Sequence, residues 1–169
     1  MLELEVHDRG NTIVLSFEHS LLSLSKWEAK TKKAFLTQAP KPPAEMIDYY
    51  RDMLTSPEHD PDLVYRLSPA QLHDLEVYIS DPMSAQPLPP PDPDAKKTRE
   101  IMTSDIIYTQ MVMLRIPFEA QTWHLNRLMS VIAHTAHRQQ PPKKESKASA
   151  LSRWQEINRK NRERFNSQG

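Results

Sequence analysis

Proline and glycine are the residues that most restrict what this chain can fold into. The 169 residues include 15 prolines and only 2 glycines. The phosphate loops of α/β nucleotide-binding folds need glycine where the backbone takes a positive φ or approaches the ligand closely. We therefore exclude Rossmann and P-loop nucleotide-binding enzymes. Because proline interrupts helices, we also expect short helices separated by stiff connectors.

The absence of cysteine excludes several kinds of chemistry together. With no Cys in the sequence, the chain has no disulfide, no thiolate zinc site and no cysteine nucleophile. Residues 1–5 do not have the pattern of a signal peptide, and no apolar run approaches the ~20 residues of a membrane span. We expect a soluble protein of a reducing cytoplasm that makes no contact with a membrane.

Apolar and polar residues alternate near the N-terminus with the period of a β-strand. The alternation covers residues 2–6 and again 13–17, as expected for strands with one buried face. Between them, Gly10 and Asn11 are residues that tolerate the positive φ of a hairpin loop. The sequence predicts a two-stranded β-hairpin.

The rest of the chain has helical spacing and helix-start signals. Ser25 and Glu28 fit a capping box, which predicts a helix over 26–35. Ser68 followed by Pro69 predicts a helix that runs to about Ser80. The remaining predicted elements are a helix that stops before residues 56–57, a short element over 62–66, and helices over 98–114, 117–138 and 147–165. We expect the helices over 98–114 and 117–138 to form an antiparallel pair.

Composition divides the chain into four parts. We predict an N-terminal part with the hairpin and helices (1–81), a proline-rich linker (82–97), a helical hairpin (98–140) and a basic helical tail (141–169). The net charge of zero hides an asymmetry, since residues 1–137 carry 13 Lys and Arg against 19 Asp and Glu, whereas 138–169 carry 9 against 3. Such segregation is typical of a tail that contacts an acidic protein, nucleic acid or a neighbouring copy. The predicted fold class is mainly α.

One group of histidines and one group of acidic residues could suggest a metal site or a catalytic site, but neither has the residues that such a site needs. His124, His134 and His137 lack the glutamate of a metalloprotease helix and any cysteine to complete a zinc site. The acidic residues around 58–62 lie in a proline-punctuated loop without an apolar wall to raise a carboxyl pKa. We predict no metal site, no cofactor and no enzymatic activity.

Two groups of residues are candidates for binding a partner. Met111, Met113 and Trp123 lie in the predicted helical pair, where methionine either fills an irregular core or forms an adaptable surface for a polypeptide. Arg153, Trp154 and Ile157 lie in the basic tail, which suits protein docking, nucleic-acid binding or simple solvation. The two alternatives for the first group and the three for the second stay open at this point.

Several strings in the sequence carry a resemblance to a known family. The strings are Phe-Glu-His-Ser-Leu at 17–21, Ser-Lys-Trp-Glu-Ala-Lys at 25–30, Arg-Glu-Ile-Met-Thr-Ser at 99–104, Ile-Tyr at 107–108, Ile-Pro-Phe-Glu at 116–119, Trp-His-Leu-Asn-Arg-Leu at 123–128 and Pro-Pro-Lys-Lys at 141–144. In these strings the chain resembles the tail assembly chaperones of long-tailed, non-contractile bacteriophages. It departs from them after residue 80, where a proline-rich segment replaces expected aromatic residues.

The resemblance implies a helper that binds the long tape-measure protein while tail-tube subunits polymerise around it. It implies partners among the phage tail proteins, a location in the host cytoplasm, and no catalysis. One alternative is a structural virion or connector protein that laces subunits together through extended arms, with a homo-oligomer as one arrangement. A small nucleic-acid-binding protein that uses the basic tail is a second alternative, and the weaker one.

Overall fold

The computed structural model describes residues 1–37, 39–90, 100–139 and 147–165. The fold is mainly helical with an N-terminal antiparallel hairpin, which confirms the predicted fold class. Its elements are strands β1 (Leu2–Asp8) and β2 (Asn11–Phe17), helices α1 (Leu21–Thr31), α2 (Pro43–Met53), α3 (Pro69–Ser80), α4 (Ser104–Met113), α5 (Leu125–Gln139) and α6 (Lys147–Phe165), and the 3₁₀ helices Pro61–Arg66 and Phe118–Thr122.

The hairpin forms as predicted, with one difference at its turn. Asp8 pairs with Asn11, so the loop has two residues. Arg9 has φ 49° and Gly10 φ 85°, and positive φ at both loop positions is the conformation that matches the twist of the flanking strands. The positive φ therefore falls on Arg9 and Gly10, whereas we had expected it at Gly10 and Asn11.

Helix α1 begins five residues earlier than the capping-box prediction. Ser20 is the N-cap, and its hydroxyl accepts from the Ser23 amide at 3.2 Å while the Ser23 hydroxyl accepts from the Ser20 amide at 3.3 Å. Ser25 thus lies inside the helix. Glu28 instead reaches the N-terminus of α4, where its carboxylate accepts from the amide and the hydroxyl of Ser104 at 2.7 and 2.6 Å. An acidic group is favourable there because of the helix dipole.

Helices α4 and α5 are shorter than predicted and do not form the expected pair. Residues 100–103 precede α4 and are not helical, with Thr103 as the N-cap. The predicted helix over 117–138 is interrupted before α5, because His124 pairs with Ser20 in a β-bridge and the Leu125 amide donates to the His19 carbonyl at 2.6 Å. The helix that α4 packs against is chiefly α1.

The division into parts also differs from the prediction. Residues Met1–Arg138 form one compact unit and Gln139–Gly169 a second, so the parts predicted as 1–81 and 98–140 share one core. The reason is that α1, which belongs to the first of these parts, packs against α4 of the other as well as against α2. Residues 82–90 of the predicted linker form no helix or strand, and 91–97 lie outside the described residues. In the second unit, α6 has the bounds predicted for the tail helix.

The core of the first unit lies where the hairpin meets the helices. The strands contribute their inner face, and the helices contribute apolar side chains that are almost completely buried. Trp27 of α1 donates from its indole nitrogen to the Glu45 carbonyl at 3.2 Å, and Phe35 stacks on Tyr49 with ring centroids 3.9 Å apart. The largest fully buried side chains are Leu15, Phe17, Leu21, Leu24, Trp27, Tyr49, Met53, Leu75, Ile107, Met111, Leu125 and Leu128.

Candidate functional site

The chain reverses direction directly after α4. Leu114 caps the helix and Arg115 has φ 56°, a left-handed conformation that ends a helix. The Ile116 amide then donates to the Met111 carbonyl at 2.8 Å. The 3₁₀ helix Phe118–Thr122 follows, with Pro117 at its N-cap. This reversal brings Phe118 back beside α4.

Four large apolar side chains remain exposed around this reversal. The exposed fractions are 60% for Val112, 74% for Met113, 54% for Phe118 and 41% for Trp123. We call these four residues the apolar patch. Large apolar groups left in water within one short stretch of a folded unit are typical of a surface that binds another protein.

Neighbouring side chains hold the aromatic members of the apolar patch in place. The ring of Phe118 lies 6.3 Å from that of Tyr108, and the Tyr108 hydroxyl donates to the side-chain oxygen of Gln121 at 2.9 Å. The guanidinium of Arg127 lies 5.1 Å from the Trp123 ring centroid, within the range of a cation–π contact. The side chains of Phe118 and Gln121 therefore tie the 3₁₀ helix to Tyr108 of α4.

The structure separates the three residues that we had grouped in this region. Met113 and Trp123 are exposed, as a binding surface requires, but Met111 is completely buried. Met111 was therefore wrong as a surface candidate. Because it lies four residues after Ile107, the two side chains share the face of α4 that packs into the core. Sequence reasoning also missed Val112 and Phe118, since we placed Phe118 at the start of a long amphipathic helix.

Apart from the apolar patch, a cluster of polar side chains is buried where strand β2 leads into α1. His19 and His124 lie edge to face with ring centroids 5.2 Å apart, and the Nδ1 of His19 lies 2.6 Å from the Tyr49 hydroxyl. Burial, aided by the neighbouring His124, lowers the pKa of His19 to about 3. Burial raises the pKa of Tyr49 well above its ordinary value. Both groups are neutral near pH 7, and a hydrogen bond joins the imidazole to the tyrosine hydroxyl.

His124 uses both ring nitrogens on the backbone. Its Nδ1 accepts from the Asn126 amide at 3.3 Å, and its Nε2 donates to the Tyr78 carbonyl at 3.0 Å. Burial lowers its pKa, in agreement with this neutral form. His124 therefore closes the N-terminus of α5 and joins it to α3. Among residues 1–37, 39–90, 100–139 and 147–165, no group of three or more His, Asp or Glu side chains is placed to hold a metal ion.

The candidate residues of the tail lie on α6. The exposed fractions are 67% for Trp154 and 46% for Ile157, and Leu151 and Phe165 are exposed as well. Arg159 pairs with Glu156 at 2.8 Å and with Glu163 at 2.6 Å, and these pairs join successive turns of the helix. Arg153 is exposed on the same helix. The helix thus presents apolar and basic side chains together.

Comparison with known proteins gives no relative for this chain. It matches no family model, no curated protein and no solved structure. In the part of the chain that the structure describes, we also find no helix with the length and apolar character needed to cross a membrane. The case for a function therefore rests on the two surfaces described above and on the resemblance of the sequence strings.

Proposed function

We propose that this chain is a non-catalytic assembly helper that binds an apolar stripe of a long helical polypeptide through the apolar patch. The resemblance of its sequence strings points to the tape-measure protein of a long-tailed, non-contractile phage as that client. The helper acts in the host cytoplasm, before the tail is complete.

The observation that carries the proposal is the exposure of four large apolar side chains within residues 112–123. A client with exposed apolar stripes but no fixed sequence requires contacts that adapt, and the flexible thioether of Met113 provides such a contact. The aromatic rings of Phe118 and Trp123 add large, rigid contact area. Two of the strings that carry the resemblance, at 116–119 and 123–128, include these rings.

The test is co-purification of the chain with the tape-measure protein of the phage that encodes it. Met113→Asp and Phe118→Asp each put an unpaired charge into the proposed contact and should reduce co-purification at least tenfold. The matched control is Tyr65→Asp, because Tyr65 is 63% exposed but lies on the other 3₁₀ helix. It should leave binding unchanged.

A fold measurement makes the result decisive. Both patch side chains are more than half exposed, so the circular dichroism spectrum and unfolding midpoint of the variants should stay close to those of the wild type. Folded patch variants that still retain the client would overturn the proposed surface. Mass spectrometry of purified particles addresses the structural alternative: trace amounts support a transient helper, whereas many copies per particle support a structural protein.

A further inference from the structure

Helix α6 is not explained by the apolar patch, and it has the features of a docking element. Leu151, Trp154 and Ile157 are spaced three residues apart, which places them along one side of the helix. All three are exposed. Most helices in proteins are stabilised chiefly by packing of their apolar face. Such a stripe is stabilised when another surface covers it.

The charges of α6 limit what that surface can be. The helix has six basic and two acidic side chains, and both acidic ones, Glu156 and Glu163, already pair with Arg159. Arg162 has no ion-pair partner among the described residues. The excess positive charge therefore favours a covering surface that is acidic.

Residues 1–137 of the same chain carry the opposite excess, and β1 and α3 hold five of the 19 Asp and Glu without any Lys or Arg. Glu3, Glu5 and Asp74 are exposed and make no ion pair with any described residue. The two elements are adjacent, since the Gln71 side chain donates to the Glu5 carbonyl at 2.6 Å. Val14, which pairs with Glu5 across the hairpin, and Val77 on α3 are both exposed. We call these five residues the acidic face.

We propose that α6 docks on the acidic face of a second copy of this chain. The match is one of charge and of apolar contact together, because the basic helix meets carboxylates while Trp154 and Ile157 meet Val14 and Val77. The apolar patch fits α6 less well. Residues 112–127, which include the patch, carry Glu119 against Arg115 and Arg127, so it gives no net attraction for a basic helix.

This inference goes beyond the proposed function and places the two contacts on different surfaces. The apolar patch takes the client, and the acidic face takes α6 of a neighbouring copy. Where two copies exchange their α6 helices, the pairing is reciprocal and closes on itself.

The experiment measures the mass of the full-length chain in solution by sedimentation or light scattering. At 50 mM NaCl the wild type should have a mass above the 19.6 kDa of one chain. Raising the salt to 500 mM should weaken the association at least about tenfold, since the screening length falls by roughly a factor of three. The variant pair Arg162→Glu with Arg164→Glu should be monomeric, and so should Glu3→Lys with Asp74→Lys.

Mixing the two variants gives the sharpest result. The α6 helix made acidic in the first variant then meets the face made basic in the second. The unchanged basic α6 of the second variant meets the unchanged acidic face of the first. A complex with equal amounts of both variants should therefore form. Glu119→Lys, a single charge reversal outside the acidic face, is the control for the location of the charge and should associate like the wild type. Circular dichroism checks that every variant is folded.

Several outcomes would overturn the proposal. They are a wild type that stays monomeric at low salt, association that survives both charge reversals, and folded variants that do not associate when mixed, as docking within a single chain would give. Association that disappears after nuclease treatment would point to nucleic acid as the partner of α6. Failure here leaves client binding by the apolar patch untouched, because Arg162, Arg164, Glu3 and Asp74 lie outside it.

Discussion

Lowering the pH from 7 to 5 should destabilise this protein through His19. The imidazole is buried against Tyr49 and beside His124, and burial lowers its pKa to about 3 in the folded state. In the unfolded chain the same group has a pKa of about 6.5. The unfolded state therefore binds a proton first as the pH falls, and folding becomes less favourable.

The size of the effect follows from the two pKa values. Above pH 6.5 the histidine is neutral in both states, so its contribution to stability does not change with pH. Below pH 6.5 the free energy of unfolding falls by up to about 1.4 kcal/mol per pH unit, until the pH reaches the folded-state pKa near 3. From pH 7 to pH 5 the expected loss is about 2 kcal/mol. His124, whose pKa burial also lowers, adds to the loss in the same direction.

Urea unfolding at several pH values between 7 and 5 measures this loss directly. The range is suitable because unperturbed carboxyl groups titrate mainly below it. The comparison variant is His19→Gln, which removes the titrating group but keeps a polar side chain that can hydrogen-bond to the Tyr49 hydroxyl. It should be less stable than the wild type at pH 7 and should lose much less stability on acidification.

Two results would refute this reasoning. One is a wild-type free energy of unfolding that stays constant between pH 7 and pH 5, which would mean that His19 keeps an ordinary pKa in the folded state. The other is a His19→Gln variant with the same pH dependence as the wild type. In that case the loss of stability would come from other groups.

Three further predictions concern stability and use the same urea unfolding assay. Ser20→Ala should lower the free energy of unfolding by about 1 kcal/mol through loss of the α1 N-cap, while Ser25→Ala should change it by less than about 0.5 kcal/mol; equal effects would contradict the observed start of the helix. Met111→Ala should cost about 2–5 kcal/mol, because it leaves a cavity in the core, whereas Met113→Ala at the exposed site should be nearly neutral. Truncation after Gln140 should leave the midpoint of the monomer almost unchanged, because α6 belongs to a separate compact unit, and a large fall would show that the tail stabilises the first unit.

Local sequence signals predicted the elements that depend on nearby residues. Alternation over seven-residue strands and a tight turn are enough to specify the hairpin. The start of α3 was also predicted, because Ser68 caps the helix and Pro69 occupies its first turn. At α1 we predicted Ser25 as the N-cap because Glu28 follows it by three residues, whereas the N-cap is Ser20. In the structure the Glu28 carboxylate accepts a hydrogen bond from Ser104, which is 76 residues away in sequence. A contact between residues so far apart leaves no local sequence pattern.

The interruption before α5 is a long-range feature of the same kind. It depends on the pairing of His124 with Ser20 and on the bond from Leu125 to the His19 carbonyl. Helical periodicity runs through residues 117–138 without a visible break, so the sequence could not indicate it. The buried histidine pair was missed for the same reason, because its two members are brought together only by the fold.

This interruption also creates the candidate binding surface. In a continuous helix over 117–138, Phe118 would lie seven residues before Leu125 and on the same face. Leu125 is buried in the core, so Phe118 would have been buried beside it. Because the chain instead forms a separate 3₁₀ helix tied to α4, Phe118 is left more than half exposed next to Tyr108. The surface proposed to bind the client thus depends on backbone bonds made by His19 and Ser20, at the other end of the first unit's sequence.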